Sequence, residues 1–109
     1  MKATKVHWTP FALSRLDEIY DYILKESKSH SIAVKFTKKV FEKTDRLVSF
    51  PESGQVEELL KAIGQKSRYL VVNSYKVIYE YHPHELTVII TDVFHAKQNP
   101  KKLLKPRSH

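Results

Sequence analysis

The chain has 109 residues and a mass of 12.8 kDa, the length of one ordinary domain. It is 41% hydrophobic and 28% charged with only two glycines, which excludes a disordered chain, a collagen-like repeat and a low-complexity polymer. The absence of cysteine excludes disulfides, thiolate metal sites and a cysteine nucleophile. No apolar run approaches the roughly 18 residues of a membrane span. The opening Met1-Lys2-Ala3-Thr4-Lys5 lacks an apolar signal core, so the expected location is cytoplasmic, without export.

The net charge of +7 is unevenly spread. Residues 1–50 carry ten basic and six acidic groups, residues 51–96 carry four and six, and residues 97–109 carry five and none. The excess lies in the first half and in a basic tail (Lys97, Lys101, Lys102, Lys105, Arg107). Such a balance suits nucleic acid or acidic partners, and equally a solvated surface with a loose tail. The domain reading is one unit over residues 1–96 followed by the tail at 97–109.

In chain order, Val6-His7-Trp8 fits an edge strand. Thr9 can cap a helix, and Pro10 suits its first position, where a missing N–H needs no partner. Ala12, Leu16, Ile19, Tyr20 and Ile23 then form one helical face, predicting a helix from about Pro10 to about Glu26. Ser29 or Ser31 can cap a second helix whose face carries Ala33, Phe36, Val40, Thr44 and Leu47. It ends by Phe50-Pro51, because the residue before proline disfavours helix. The short link between the two predicts an antiparallel helical hairpin. Pro51 to Gly54 is a turn, and Val56 to Ile63 is ambiguous between a short helix and an irregular edge. Beyond Gly64 the pattern becomes β. Arg68 to Val72 is one strand and Asn73-Ser74 a hairpin turn. Tyr75, Val77, Tyr79 and Tyr81 form one face of the next strand, opposite Lys76, Ile78 and Glu80. Leu86 to Phe94 makes the last, with Val88, Ile90, Asp92 and Phe94 expected on one face. The fold class is therefore α+β: an N-terminal strand, a two-helix hairpin, then a three-stranded antiparallel meander with the helices on one face.

Several constellations carry candidate chemistry. Asp17 and Asp21 lie one helical turn apart, but Lys25 at i+4 makes an exposed charged face the plainer reading. His82 and His84 flank Pro83 without a third metal ligand nearby, which suits a polar hairpin tip. Lys35, Lys39 and Arg46 share a helical stripe with Glu42, and internal ion pairing is the expected use. Arg68, Lys76 and His95 come from neighbouring sheet segments, with Glu57 just upstream. Metal-free RNA cleavage needs a base on the 2′-hydroxyl, a cation for the developing charge and an acid for the leaving oxygen. These residue types can fill the roles, provided Arg68, Lys76 and His95 converge on one open sheet face. Projection of His95 toward the helices would remove it from such a site.

The run Val6-His7-Trp8-Thr9-Pro10-Phe11-Ala12, followed by Leu16, Ile19, Tyr22 and Ile23, resembles the opening of the RelE/ParE toxin superfamily. Phe50-Pro51-Glu52-Ser53-Gly54 resembles its turn after the second helix. Arg68-x-Leu70-x-Val72-x-x-Tyr75-Lys76-Val77-Ile78-Tyr79 is similar to its central hairpin, and Asp92 to Pro100 to its closing strand. The resemblance covers about residues 5–100 and implies a β-α-α-β-β-β domain. It also implies the toxin half of a bacterial type II toxin–antitoxin (plasmid stabilisation) pair, neutralised by a small protein antitoxin. No cofactor and no metal are implied. By position, Lys76 resembles a catalytic arginine of RelE-like enzymes, His95 a catalytic histidine or arginine, Glu57 the acid of a subset, and Arg68 a basic residue of both branches.

The two branches imply different targets: RelE-like members cut mRNA on the ribosome, whereas ParE-like members poison DNA gyrase. Lysine at 76 lacks the bidentate fork of arginine, no tyrosine follows His95, and residues 51–96 are net acidic. With the long helical hairpin and the Trp-Thr-Pro opening, these features favour a ParE-like inhibitor that binds an essential target such as gyrase. The alternative is a RelE-like ribosome-dependent mRNA endoribonuclease using Arg68, Lys76, His95 and Glu57.

Overall fold

A computed structural model of the chain describes residues 4–62, 64 and 66–97. The elements run β1 (Lys5–Trp8), α1 (Pro10–Ser27), α2 (His30–Asp45), a 3-10 turn (Arg46–Val48), β2 (Gln55–Val56), α3 (Glu58–Lys61), β3 (Ser67–Val72), β4 (Tyr75–His82) and β5 (Thr87–His95). Nearly all of the basic tail lies outside the described residues.

Thr9 fixes the start of α1 in two ways. Its Oγ1 accepts from the Ala12 N–H at 3.1 Å, capping an otherwise orphaned donor. The same hydroxyl donates to the Ile90 carbonyl at 3.0 Å, which ties the helix to β5. α1 ends at Lys28 in the left-handed region (φ 55°), whose N–H returns to Leu24 O. Ser29 caps α2 by accepting from the Ile32 N–H. The second helix gives way to the 3-10 turn after Asp45, so Leu47 reaches the core from that turn.

The strands form one sheet in the order β1-β5-β4-β3-β2. The β3-β4-β5 meander is antiparallel as expected, and two further strands join it. β1 pairs with β5 in parallel, Lys5 opposite Thr87 through Trp8 opposite Ile90, so the sheet is mixed. Parallel neighbours need a long crossover, and here almost the whole chain lies between them. β2 adds a two-residue edge beside β3, and the ambiguous stretch Val56 to Ile63 becomes the end of that edge and the single turn of α3, with Ile63 outside the described residues.

The helices cover one face. Ala12 and Leu16 of α1, Phe36 and Val40 of α2, and Leu47 pack on Val72, Val77, Tyr79, Val88, Ile90 and Val93. The opposite face holds a smaller cluster of Ile78 and Phe94 with Tyr69 packed against it. β5 departs from simple alternation. Ile78 pairs with Asp92 but Tyr79 with Ile90, leaving Thr91 as the extra residue of a β-bulge. The bulge shifts the register of faces. Val93, not Phe94, therefore joins Val88 and Ile90 against the helices, correcting the alternation expected for β5.

Candidate functional site

The four candidate residues divide between the two faces of the sheet. Lys76 shares the helix-free face with Ile78, across from Phe94. Its Nζ lies 3.3 Å from Glu57 Oε2 and 4.2 Å from the centre of the Tyr69 ring. Both partners are withdrawn from solvent, the Glu57 side chain being 7% and the Lys76 side chain 19% exposed. The Tyr69 hydroxyl donates to Gln55 Oε1 at 3.0 Å, fixing the ring under the ammonium. Lys76 is thus held by one carboxylate and one aromatic face.

Arg68 is engaged elsewhere. It lies opposite Tyr79 in the β3–β4 register. Its Nη1 donates to Gly54 O at 2.9 Å and to Glu52 O at 3.2 Å, and its Nη2 lies 3.6 Å from the Glu52 carboxylate. The Tyr79 hydroxyl accepts from the Gly54 N–H at 2.9 Å in the buried core. Together Arg68 and Tyr79 clamp the Pro51–Gly54 turn. A Cβ on Gly54 would sit 2.5 Å from the Tyr79 hydroxyl and 2.8 Å from Tyr69 O, so this close approach requires glycine. Burial raises the Tyr79 pKa above its usual 10.0; Glu52 adds to the rise, and the Gly54 hydrogen bond and Arg68 oppose it.

His95 lies opposite Tyr75 at the far end of the sheet. Its ring meets Tyr75 edge-on at 5.2 Å, and Tyr75 in turn packs on Phe36 of α2 at 5.2 Å. His95 Nδ1 accepts from the Lys97 N–H at 3.1 Å. By strand alternation it shares the helix side with Val93. Its partner Tyr75 is four residues along β4 from Tyr79, roughly 13 Å at the usual rise per residue. The structure brings Glu57 and Lys76 together and leaves Arg68 and His95 apart from them and from each other.

The other constellations are plainer. Asp17, Asp21 and Lys25 are exposed on α1. His82 Nε2 lies 3.1 Å from Glu80 Oε1, and among the described residues no group of three His, Asp or Glu could hold a metal. Lys39 donates to Asn73 Oδ1 at 3.1 Å, and the ion pairing expected of Glu42 with Lys39 and Arg46 does not form among the described residues. One partly buried polar pair escapes a reading of the sequence. Asp92 is 1% exposed at the bulge, and its Oδ1 accepts from Arg15 Nε of α1 at 3.1 Å and from its neighbour Val93 N–H at 2.7 Å. The available signal was an aspartate inside the apolar run Val88 to Phe94.

A groove of about 370 Å³ lies between the helical hairpin and the β3–β4 turn, with Ile23, Ile32, Phe36 and Tyr75 as apolar lining and Lys35 and Lys39 beside them. A second, of about 250 Å³, lies at the β2–β3 edge among Val56, Lys61, Lys66, Ser67 and Arg68.

Residues 6–100 match the family model described as ParE toxin of type II toxin-antitoxin system, parDE. The chain belongs to the ParE toxin family. It is thus the toxin of a type II toxin–antitoxin system, and a protein of that kind has a cognate antitoxin. The fold is also that of a solved structure titled "Chromosomal ParDE TA system from P. aeruginosa", at a TM-score of 0.70 and 18% identity over 86% of this chain and 97% of that one. No curated protein matches the sequence. Among the described residues, no helix of this ParE-family toxin is long and apolar enough to cross a membrane.

Proposed function

We propose that this toxin arrests growth in the cytoplasm by binding DNA gyrase, and that it does not cleave RNA. The observation carrying this reading is the separation of the candidate catalytic side chains. Lys76 is neutralised by Glu57 on one face of the sheet, while Arg68 holds a turn and His95 faces the helical side. A phosphorane-like charge would find no convergent cation and acid–base pair there. The test is plasmid supercoiling by purified gyrase. The expected outcome is dose-dependent inhibition, or accumulation of cleaved DNA, reversed by adding the antitoxin. Undisturbed supercoiling at toxin concentrations that arrest cells would overturn the gyrase assignment.

The cognate antitoxin covers the groove between the helical hairpin and the β3–β4 turn. Ile32, in its lining, is 51% exposed and leaves apolar surface there, and Lys35 and Lys39 suit acidic side chains on the antitoxin. A Lys35→Glu/Lys39→Glu variant should weaken capture by the antitoxin about tenfold or more in a binding titration. Unchanged affinity would place the antitoxin on another surface. The same reading expects the toxin alone to be poorly soluble and to gain yield on co-expression.

A further inference from the structure

We propose that the cavity at the β2–β3 edge is a phosphoryl-binding site. This goes beyond the gyrase reading and does not depend on it. Among the described residues the cavity lining holds three cations, Lys61, Lys66 and Arg68, and no acidic residue, the Glu52 carboxylate lying beside it on Arg68. It lies at the open edge of the sheet, next to the shortest strand.

Arg68 is pre-organised for such a ligand. Its Nη1 is spent on the carbonyls of Gly54 and Glu52, which immobilise the guanidinium, while Nη2 meets only the Glu52 carboxylate at 3.6 Å. That carboxylate group is 69% exposed, so water screens its hold. Nε carries no hydrogen bond to the described residues and Nη2 only this screened ion pair, so an oxyanion that displaces Glu52 meets two parallel donors in a fixed plane. Lys61, at the end of α3, and Lys66, just before β3, add two exposed ammonium charges. Glu57 N–H donates to Ser67 O across the β2–β3 pair, so the alternating antiparallel pattern turns the Val56 N–H outward from the edge.

The donor set selects the ligand class. One guanidinium fork and two ammonium groups match a dianion with three acceptor oxygens better than a single carboxylate, which offers one charge and two oxygens. The half-exposed Val56 side chain supplies an apolar wall, and the volume of about 250 Å³ admits a group attached to the phosphoryl. Free phosphate and the 5′-phosphate of a nucleotide share this chemistry.

The experiment is a titration of the full-length toxin with inorganic phosphate, adenosine 5′-monophosphate and adenosine at low ionic strength, followed by backbone amide NMR. Phosphate and the nucleotide should shift the Val56, Ser67 and Arg68 amides saturably, with a Kd of roughly 10 mM or tighter, and adenosine should leave them unmoved. A Lys61→Gln/Lys66→Gln variant, altered only at exposed positions, should lose about tenfold in affinity. Arg68→Lys, which keeps the charge and removes the fork, should lose at least as much. A Lys35→Gln/Lys39→Gln variant, altered at the other basic rim, should bind as the parent does. Tighter binding of the nucleotide than of phosphate assigns a nucleotide as the occupant, and equal binding assigns free phosphate. Linear shifts without saturation would overturn the proposal. So would an equal response in the two double-lysine variants, which marks diffuse charge attraction. Thermal melts of each variant show whether the fold is retained.

Discussion

The two faces of the sheet are built for different ends. The helix-covered face carries a continuous apolar core in which Val40, Leu47, Val77, Val88, Ile90 and Val93 are fully buried. Among the described residues the other face has only Ile78 and Phe94 as buried apolar residues, and beside them lies a charged pair, Lys76 with Glu57. Dry packing fixes the fold on the first. On the second, the groups that resemble catalytic ones are spent on one another. The contrast teaches that residue type and sequence order locate a site only when the sheet register also aims the side chains at one point.

The contrast can be broken from either side. Leu47→Ala opens a cavity in the helix-covered core and should cost about 3 kcal/mol in denaturant unfolding. A loss below about 1 kcal/mol would mean that the 3-10 turn repacks and that this face is less committed than its burial indicates.

The charged pair should respond through coupling. Lys76→Met and Glu57→Leu should each cost about 2 kcal/mol, since each strands a partly buried charge, and the double variant should cost less than either single change. Additive losses would show that the two charges do not depend on one another.

A smaller effect concerns the clamp on the Pro51–Gly54 turn. Tyr79→Phe leaves the Gly54 N–H without its acceptor and should cost about 1 kcal/mol near neutral pH. The pH profile sharpens the assignment. Because burial raises the folded pKa of Tyr79, its stabilisation is whole below its unfolded value of 10.0 and is lost as pH rises through the folded value. Tyr75 is raised by burial too, with Tyr22 adding to the rise. The Tyr79→Phe variant should therefore lose stability above pH 10.0 less steeply than the parent, but not become flat. An unchanged alkaline slope would show that Tyr79 ionises as freely as in the unfolded chain.

Much of the helical layer was legible from the sequence. Ala33, Phe36, Val40, Thr44 and Leu47 all turn inward as their spacing implied, because one helical face is a local property. Thr9 and Ser29 cap where a hydroxyl precedes an apolar period. What depended on distant pairing was not legible. Lys5 to Trp8 find their partners about eighty residues away, in a parallel register that no local pattern encodes. The bulge at Thr91 reversed the faces of the end of β5 and buried Asp92 against Arg15. For the candidate site, Arg68, Lys76, His95 and Glu57 were identified by type and position. Their grouping into one pair and two separate residues follows from strand register, which their sequence spacing does not contain.

The proposed action of this toxin is by binding and not by cleavage. The most direct test is primer extension on mRNA from a translating extract, with the toxin and with its Arg68→Ala/Lys76→Ala/His95→Ala variant. The expected result is intact mRNA in both, from protein that still arrests growth. Codon-phased cuts that appear with the toxin and vanish with the triple variant would contradict it and would return those three residues to a catalytic role.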